Sequence, residues 1–99
     1  MGAGGTNKTN DERLMEDSKK TAGVSAGLSE QLKQLTAIAT STSEYWEDVA
    51  QTEFMQRYEE YKKNLTEQID YLQKLSEKME KYARKSMETK QEGKQDFAI

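Results

Sequence analysis

The chain has 99 residues, of which 33% are apolar and 33% charged, with a net charge of -3. That is too little apolar material for a compact core of normal thickness, and too much, too regularly placed, for simple disorder. Acidic and basic residues alternate without a basic face, which excludes an ordinary nucleic-acid binder.

Cys and His are both absent. No disulfide, thiolate metal site, imidazole base or Glu-x-x-His metal pair can be built, so no metal, cofactor or small-molecule substrate is expected, and no catalysis. No apolar run is long enough to span a membrane. No basic segment followed by an apolar stretch opens the chain, so no classical signal peptide is expected.

Residues 1–8, MGAGGTNK, are Gly-rich and polar and read as a disordered tail. MGAGGT fits the myristoylation pattern, but no basic cluster follows as a second membrane signal. Thr9-Asn10-Asp11-Glu12 has capping-box spacing, which opens a helix. Leu14, Thr21, Val24, Leu28, Leu32, Leu35 and Ile38 then fall on one helical stripe. Gly23, Ala26 and Gly27 lie near it and leave two readings open, a frayed first half or a close helix crossing.

The run TSTS at 40–43 ends this pattern, because Ser and Thr hydroxyls compete for backbone groups. The second pattern is stronger: Phe54, Tyr58, Tyr61, Leu65, Ile69, Leu72, Leu75 (or Ser76), Met79 and Tyr82, at steps of three and four. Glu59–Lys63, Asp70–Lys74, Glu77–Lys81 and Glu80–Arg84 mark a solvated face, each pair contributing about 0.2–0.5 kcal/mol. Residues 89–99 read as a flexible C-terminal tail.

These signals predict an all-α protein: a helix over about 10–40, a turn over about 41–47 and a helix over about 48–88, forming an antiparallel hairpin across 9–88. The rods are roughly 45 and 60 Å long. Two helices cannot cover both stripes, so a partner is expected, and two hairpins together make a four-helix bundle. Leu28, Leu32, Leu35, Ile38, Tyr58, Tyr61, Leu65, Ile69, Leu72, Met79 and Tyr82 are the candidate interface. Tyr45 and Tyr71 add further amphipathic rings suited to such a surface.

The only Trp stands at the joint, in YWEDVAQTEF. That stretch resembles the turn of the WXG superfamily, small helical hairpins of type VII (ESX) secretion, with Trp46, Ala50 and Phe54 at the matching places. The family's Gly is here Asp48, which tolerates left-handed backbone and caps helices well; Asp48-x-x-Gln51 repeats the capping-box spacing. The family's Tyr-x-x-x-Asp/Glu signal is not met, because Ser86 stands four residues after Tyr82.

The resemblance implies a non-enzymatic dimer with itself, a related hairpin or the N-terminal helical domain of an effector. Trp46, Asp48, Ala50 and Phe54 would form its recognition turn. It implies a small partner or targeting factor for a larger effector, cytoplasmic before export and then secreted or at the surface of a Gram-positive bacterium. The alternative is a structural or adaptor coiled-coil module unrelated to secretion. A membrane-active helix is disfavoured, since neither stripe is wide or basic.

Overall fold

The computed structural model describes residues 8–97, with side chains to residue 90. It contains two helices and, among the described residues, no strand: α1, Asn10–Thr42, and α2, Val49–Phe97. Both boundaries at the joint fall within two residues of the expectation. The helix α2 continues through 89–97, a stretch whose polar sequence reads as a flexible tail. The expected 1–8 tail lies, apart from Lys8, outside the described residues.

Thr9 starts α1. Its Oγ1 accepts from the Glu12 amide at 3.2 Å and its carbonyl from the Arg13 amide at 3.0 Å. These bonds satisfy donors that the first turn otherwise leaves unpaired, and Asp11 and Glu12 add negative charge at the positive end of the dipole.

The chain divides into two units, Gly23–Leu72 and Met1–Ala22 with Gln73–Ile99. In the first, which holds the turn, the Gln51 side-chain Nε2 donates to Thr42 Oγ1 at 3.4 Å, the Tyr58 hydroxyl to Thr36 Oγ1 at 2.7 Å, and Ser25 Oγ to the Ile69 carbonyl at 2.9 Å. Residue numbers fall on α1 as they rise on α2, so the two segments run antiparallel.

The buried positions of α1 in this unit are Ser25, Ala39 and Thr42, and those of α2 are Tyr58 and Leu65. Leu28, Leu32, Leu35, Ile69 and Leu72 are half-buried beside them. A hydroxyl can reach the carbonyl of a facing helix only where the backbones come close, and small residues at 25 and 39 allow that. Gly23 and Gly27 play no part in it: both are exposed, and an added Cβ would meet nothing within 4 Å. The close crossing between α1 and α2 is therefore at Ser25, one side of the helix away from the Gly-Ala cluster.

The terminal unit is built differently. Asp11, Ser18, Ser76 and Ala83 are buried. Lys90 Nζ donates to Asp11 Oδ2 at 2.7 Å, and Thr21 Oγ1 approaches Met79 Sδ at 3.7 Å. Ser18 and Ser76 turn their hydroxyls back onto the carbonyls of Met15 and Gln73, at 2.6 and 2.8 Å. That satisfies a buried polar group locally and presents only a small surface to the facing helix. At the position where the sequence left Leu75 or Ser76 open, Ser76 is the buried residue and Leu75 half-buried.

Candidate functional site

The turn is made by side chains that finish one helix and start the next. Three amides, Ser43, Glu44 and Tyr45, donate to the carbonyls of Thr40, Ser41 and Thr42 at 3.3, 3.1 and 3.3 Å, which tightens the last turn of α1. The hydroxyls of Thr42 and Ser43 donate to the carbonyls of Ala39 and Thr40, each at 2.7 Å. The TSTS run thus ends the helix by the competition expected of it.

Asp48 then caps α2. Its Oδ1 accepts from the Gln51 amide at 3.1 Å, and its carbonyl from Gln51 and Thr52. No described residue has a positive φ, so the turn does not use left-handed backbone, and the conformational freedom of a Gly is not needed at Asp48. The Gln51 side chain does not close the capping box. It reaches across to buried Thr42 instead and ties the two helix ends together.

Trp46 is half-buried and stacks on Phe54 at a ring-centroid distance of 5.8 Å and a tilt of 36°. Its backbone amide donates to the Thr42 carbonyl at 2.9 Å. A shallow, open depression of about 520 Å³ lies beside it, lined by Trp46, Asp48, Val49, Gln51 and Thr52 among others. Tyr45 and Val49 are 75% exposed; Ala50 is exposed too. Glu47 and Asp48 line the depression, Glu44 and Glu53 lie close by in the chain, and no Lys or Arg occurs between Lys33 and Arg57. Such a surface offers apolar contact and negative charge together, which suits a basic or aromatic partner surface.

The candidate interface residues divide into an inner and an outer set. Tyr58 and Leu65 are consumed by the seam between α1 and α2. Ile38 and Tyr61 are exposed at 59% and 53%, and Val24 and Tyr71 at 55% and 65%. Leu28, Leu32, Leu35, Ile69 and Leu72 lie half-buried at the boundary. In the terminal unit Met79 is half-buried and Tyr82 exposed.

The outer set has a common direction. Val24 and Ile38 stand one residue before buried Ser25 and Ala39; Tyr61 stands three after Tyr58, and Tyr71 one before Leu72. On a right-handed helix these offsets all turn the same way from the seam. When two such helices face each other antiparallel, equal offsets fall on the same side of the pair. The turn unit therefore carries one apolar face, made by Val24, Ile38, Tyr61 and Tyr71, with Leu28, Leu35 and Phe54 at its inner edge.

Sequence reading missed Asp11, Ser18, Ser25 and Ala39 as buried positions of α1. With half-buried Leu32, which it did name, they repeat at seven-residue intervals. The repeat is visible in the sequence, but small and polar residues carry it, so an apolar count passes over it. Among the described residues, Asp11 is the one buried carboxylate. The Lys90 ammonium and the Ser86 hydroxyl beside it hold its carboxyl below the usual value of 3.8, against the opposing effect of burial. No group of three or more His, Cys, Asp or Glu among the described residues could hold a metal ion.

No described helix is long and apolar enough to cross a membrane. No curated protein and no solved structure matches the chain. A family model, "Proteins of 100 residues with WXG", matches residues 7–91, which takes in both helical seams and the Trp46 turn. Members of that family are small helical proteins associated with type VII secretion, typically paired with other helical proteins. On that match, the chain belongs to the WXG100 family.

Proposed function

We propose that this chain is a non-enzymatic export partner of a type VII system. It pairs through its apolar face with a second helical hairpin, or with the N-terminal helical domain of a larger effector, to complete a four-helix bundle. The pair is exported from the cytoplasm of a Gram-positive bacterium. The observation that carries this reading is the apolar face of the turn unit. Four large apolar side chains stand more than half exposed there, while no large side chain among the described residues is fully buried. A water-facing surface of this kind on so thin a structure is a binding surface.

The Trp46 turn serves as the recognition element. Its rings sit on a joint fixed at both ends, by the Thr42–Gln51 bond and by the Asp48 cap, so the surface is presented without ordering cost on binding. Because Ser86 replaces the acid expected after Tyr82, the chain supplies the turn half of a signal, and its partner supplies the acidic tail. That makes it a targeting factor for the partner.

Export from the source bacterium is the test. Deleting the secretion ATPase abolishes release of the chain, and Trp46→Ala lowers release while native mass spectrometry still finds the dimer. Undiminished export in the ATPase deletion refutes the reading.

A further inference from the structure

We propose that the thioethers of Met15, Met79 and Met87 form a reversible oxidation site. Their conversion to sulfoxides by a peroxide opens the terminal unit and leaves the turn unit closed.

The placement of sulfur carries the argument. Of the five methionines, Met15, Met79 and Met87 belong to the terminal unit, and Met55 is the one in the turn unit. Among the described residues of the terminal unit, the large half-buried apolar side chains are Leu14, Met15, Leu75, Met79 and Met87. Thioethers thus supply most of the apolar contact there. In the turn unit Met55 is outnumbered by Leu, Ile and aromatic side chains, which a mild peroxide leaves intact.

The spacing sets all three on the contact face of their helices. Met15 lies four residues after buried Asp11 and three before buried Ser18. Met79 lies three after buried Ser76 and four before buried Ala83. Met87 lies four after Ala83 and three before Lys90, which bonds Asp11. Residues three and four apart share a helix face. All three are only half-buried, so a small oxidant reaches them from water.

Hydrogen peroxide gives one oxygen atom to each sulfur. Its O–O bond breaks, an S=O bond forms, the sulfur is oxidised by two electrons, and the peroxide leaves as water with both its protons. The product is polar and accepts hydrogen bonds but donates none. The hydroxyls beside two of the sulfurs are committed elsewhere. Thr21 Oγ1 lies 3.7 Å from Met79 Sδ but 2.8 Å from the Asp17 carbonyl. Ser18 Oγ lies 4.0 Å from Met15 Sδ but 2.6 Å from the Met15 carbonyl. Each hydroxyl has one proton, and the shorter contact takes it. A thioether tolerates the oxygen beside it. A sulfoxide oxygen turns to water instead and takes its side chain off the seam. The residues left there, Ser18, Ser76 and Ala83, present little apolar surface. Sulfoxide reductases undo the change.

Hydrogen peroxide on the full chain is the probe, read by peptide mass and by amide exchange. Met15, Met79 and Met87 each gain one oxygen atom. Amides of the terminal unit then exchange roughly tenfold faster, and those around Tyr58 keep their rates. Methionine sulfoxide reductases with a thiol reductant restore the original rates. Met15→Leu, Met79→Leu and Met87→Leu together, swaps of similar volume, remove the response, and Met55→Leu leaves it in place. Sulfoxides at all three sites with unchanged exchange overturn the proposal. So do terminal-unit sulfurs that stay unoxidised, acceleration as large around Tyr58 as in the terminal unit, or a folded triple variant that still responds. The comparison before and after peroxide uses the unaltered sequence, so it decides the question even where the triple variant does not fold.

Discussion

The turn unit and the terminal unit join the same two helices by different chemistry. In the turn unit the links between helices are neutral: Tyr58 to Thr36, Ser25 to the Ile69 carbonyl, Gln51 to Thr42, with Trp46 stacked on Phe54. In the terminal unit the link of longest reach is an ion pair, Lys90 to Asp11, and the buried residues around it are small. Neutral hydrogen bonds in a shielded seam are indifferent to salt and pH. An ion pair whose Lys is mostly exposed is screened by salt and lost on protonation. The two units should therefore hold together under different conditions, with the turn unit the more robust.

The largest break in that comparison comes from Tyr58, buried in the turn unit with only 6% of its surface exposed. Tyr58→Ala removes the ring and leaves the Thr36 hydroxyl without its cross-helix donor. Urea unfolding should show a loss of about 3 kcal/mol. Tyr58→Phe should cost about 1 kcal/mol, because it deletes only the hydrogen bond.

A smaller effect is expected at the joint. Asp48→Ala removes the acceptor for the Gln51 amide and should cost about 1 kcal/mol in the same measurement. Asp48→Gly should cost only a few tenths. If the Gly variant proves more stable than Asp48 itself, the turn needs left-handed backbone after all, and the cap is not what starts α2.

The smallest effect sharpens the comparison rather than breaking it. The Asp11 carboxyl titrates below its ordinary 3.8 in the folded chain. A depressed folded value means the contribution is fully present above about 3.8 and is lost as pH falls through the folded value below it. Amide exchange followed from about pH 5 downward should show terminal-unit amides losing protection first, while those around Tyr58 keep theirs. Asp11→Asn should remove the difference, and added salt should mimic it in part.

Much of this was legible in the sequence for local reasons. Capping and helix ending depend on residues within three or four positions of one another, so Thr9, the TSTS run and Asp48 could be read directly. The family pattern put Trp46 and Phe54 at matching places, and the structure brings their rings into contact. The inside of α1 was not. Leu28, Leu32, Leu35 and Ile38 define a stripe by composition, yet the seam shares only Leu32 with it, runs through Ser25 and Ala39, and leaves Ile38 exposed. The Gly-Ala cluster left two readings open, and neither glycine lies against the facing helix. Sequence shows that a position permits close approach, but not which neighbour stands there to use it. The length of α2 past residue 88 was also missed, because a polar stretch without Gly until Gly93 carries no stop signal and no apolar period.

The sequence by itself determined two long helices, the joint between them, and an apolar surplus that a pair of helices cannot cover. Those follow from propensity, capping and periodicity, which act over a few residues. Tertiary structure decided which apolar residues are inside. Two helices touch along a narrow line, and the line is closest where side chains are small or turn their hydroxyls back on their own carbonyls. Serine and alanine therefore take the contact, and the larger side chains of Val24, Ile38, Tyr61 and Tyr71 are displaced to one flank, where they form a surface that only another molecule can cover.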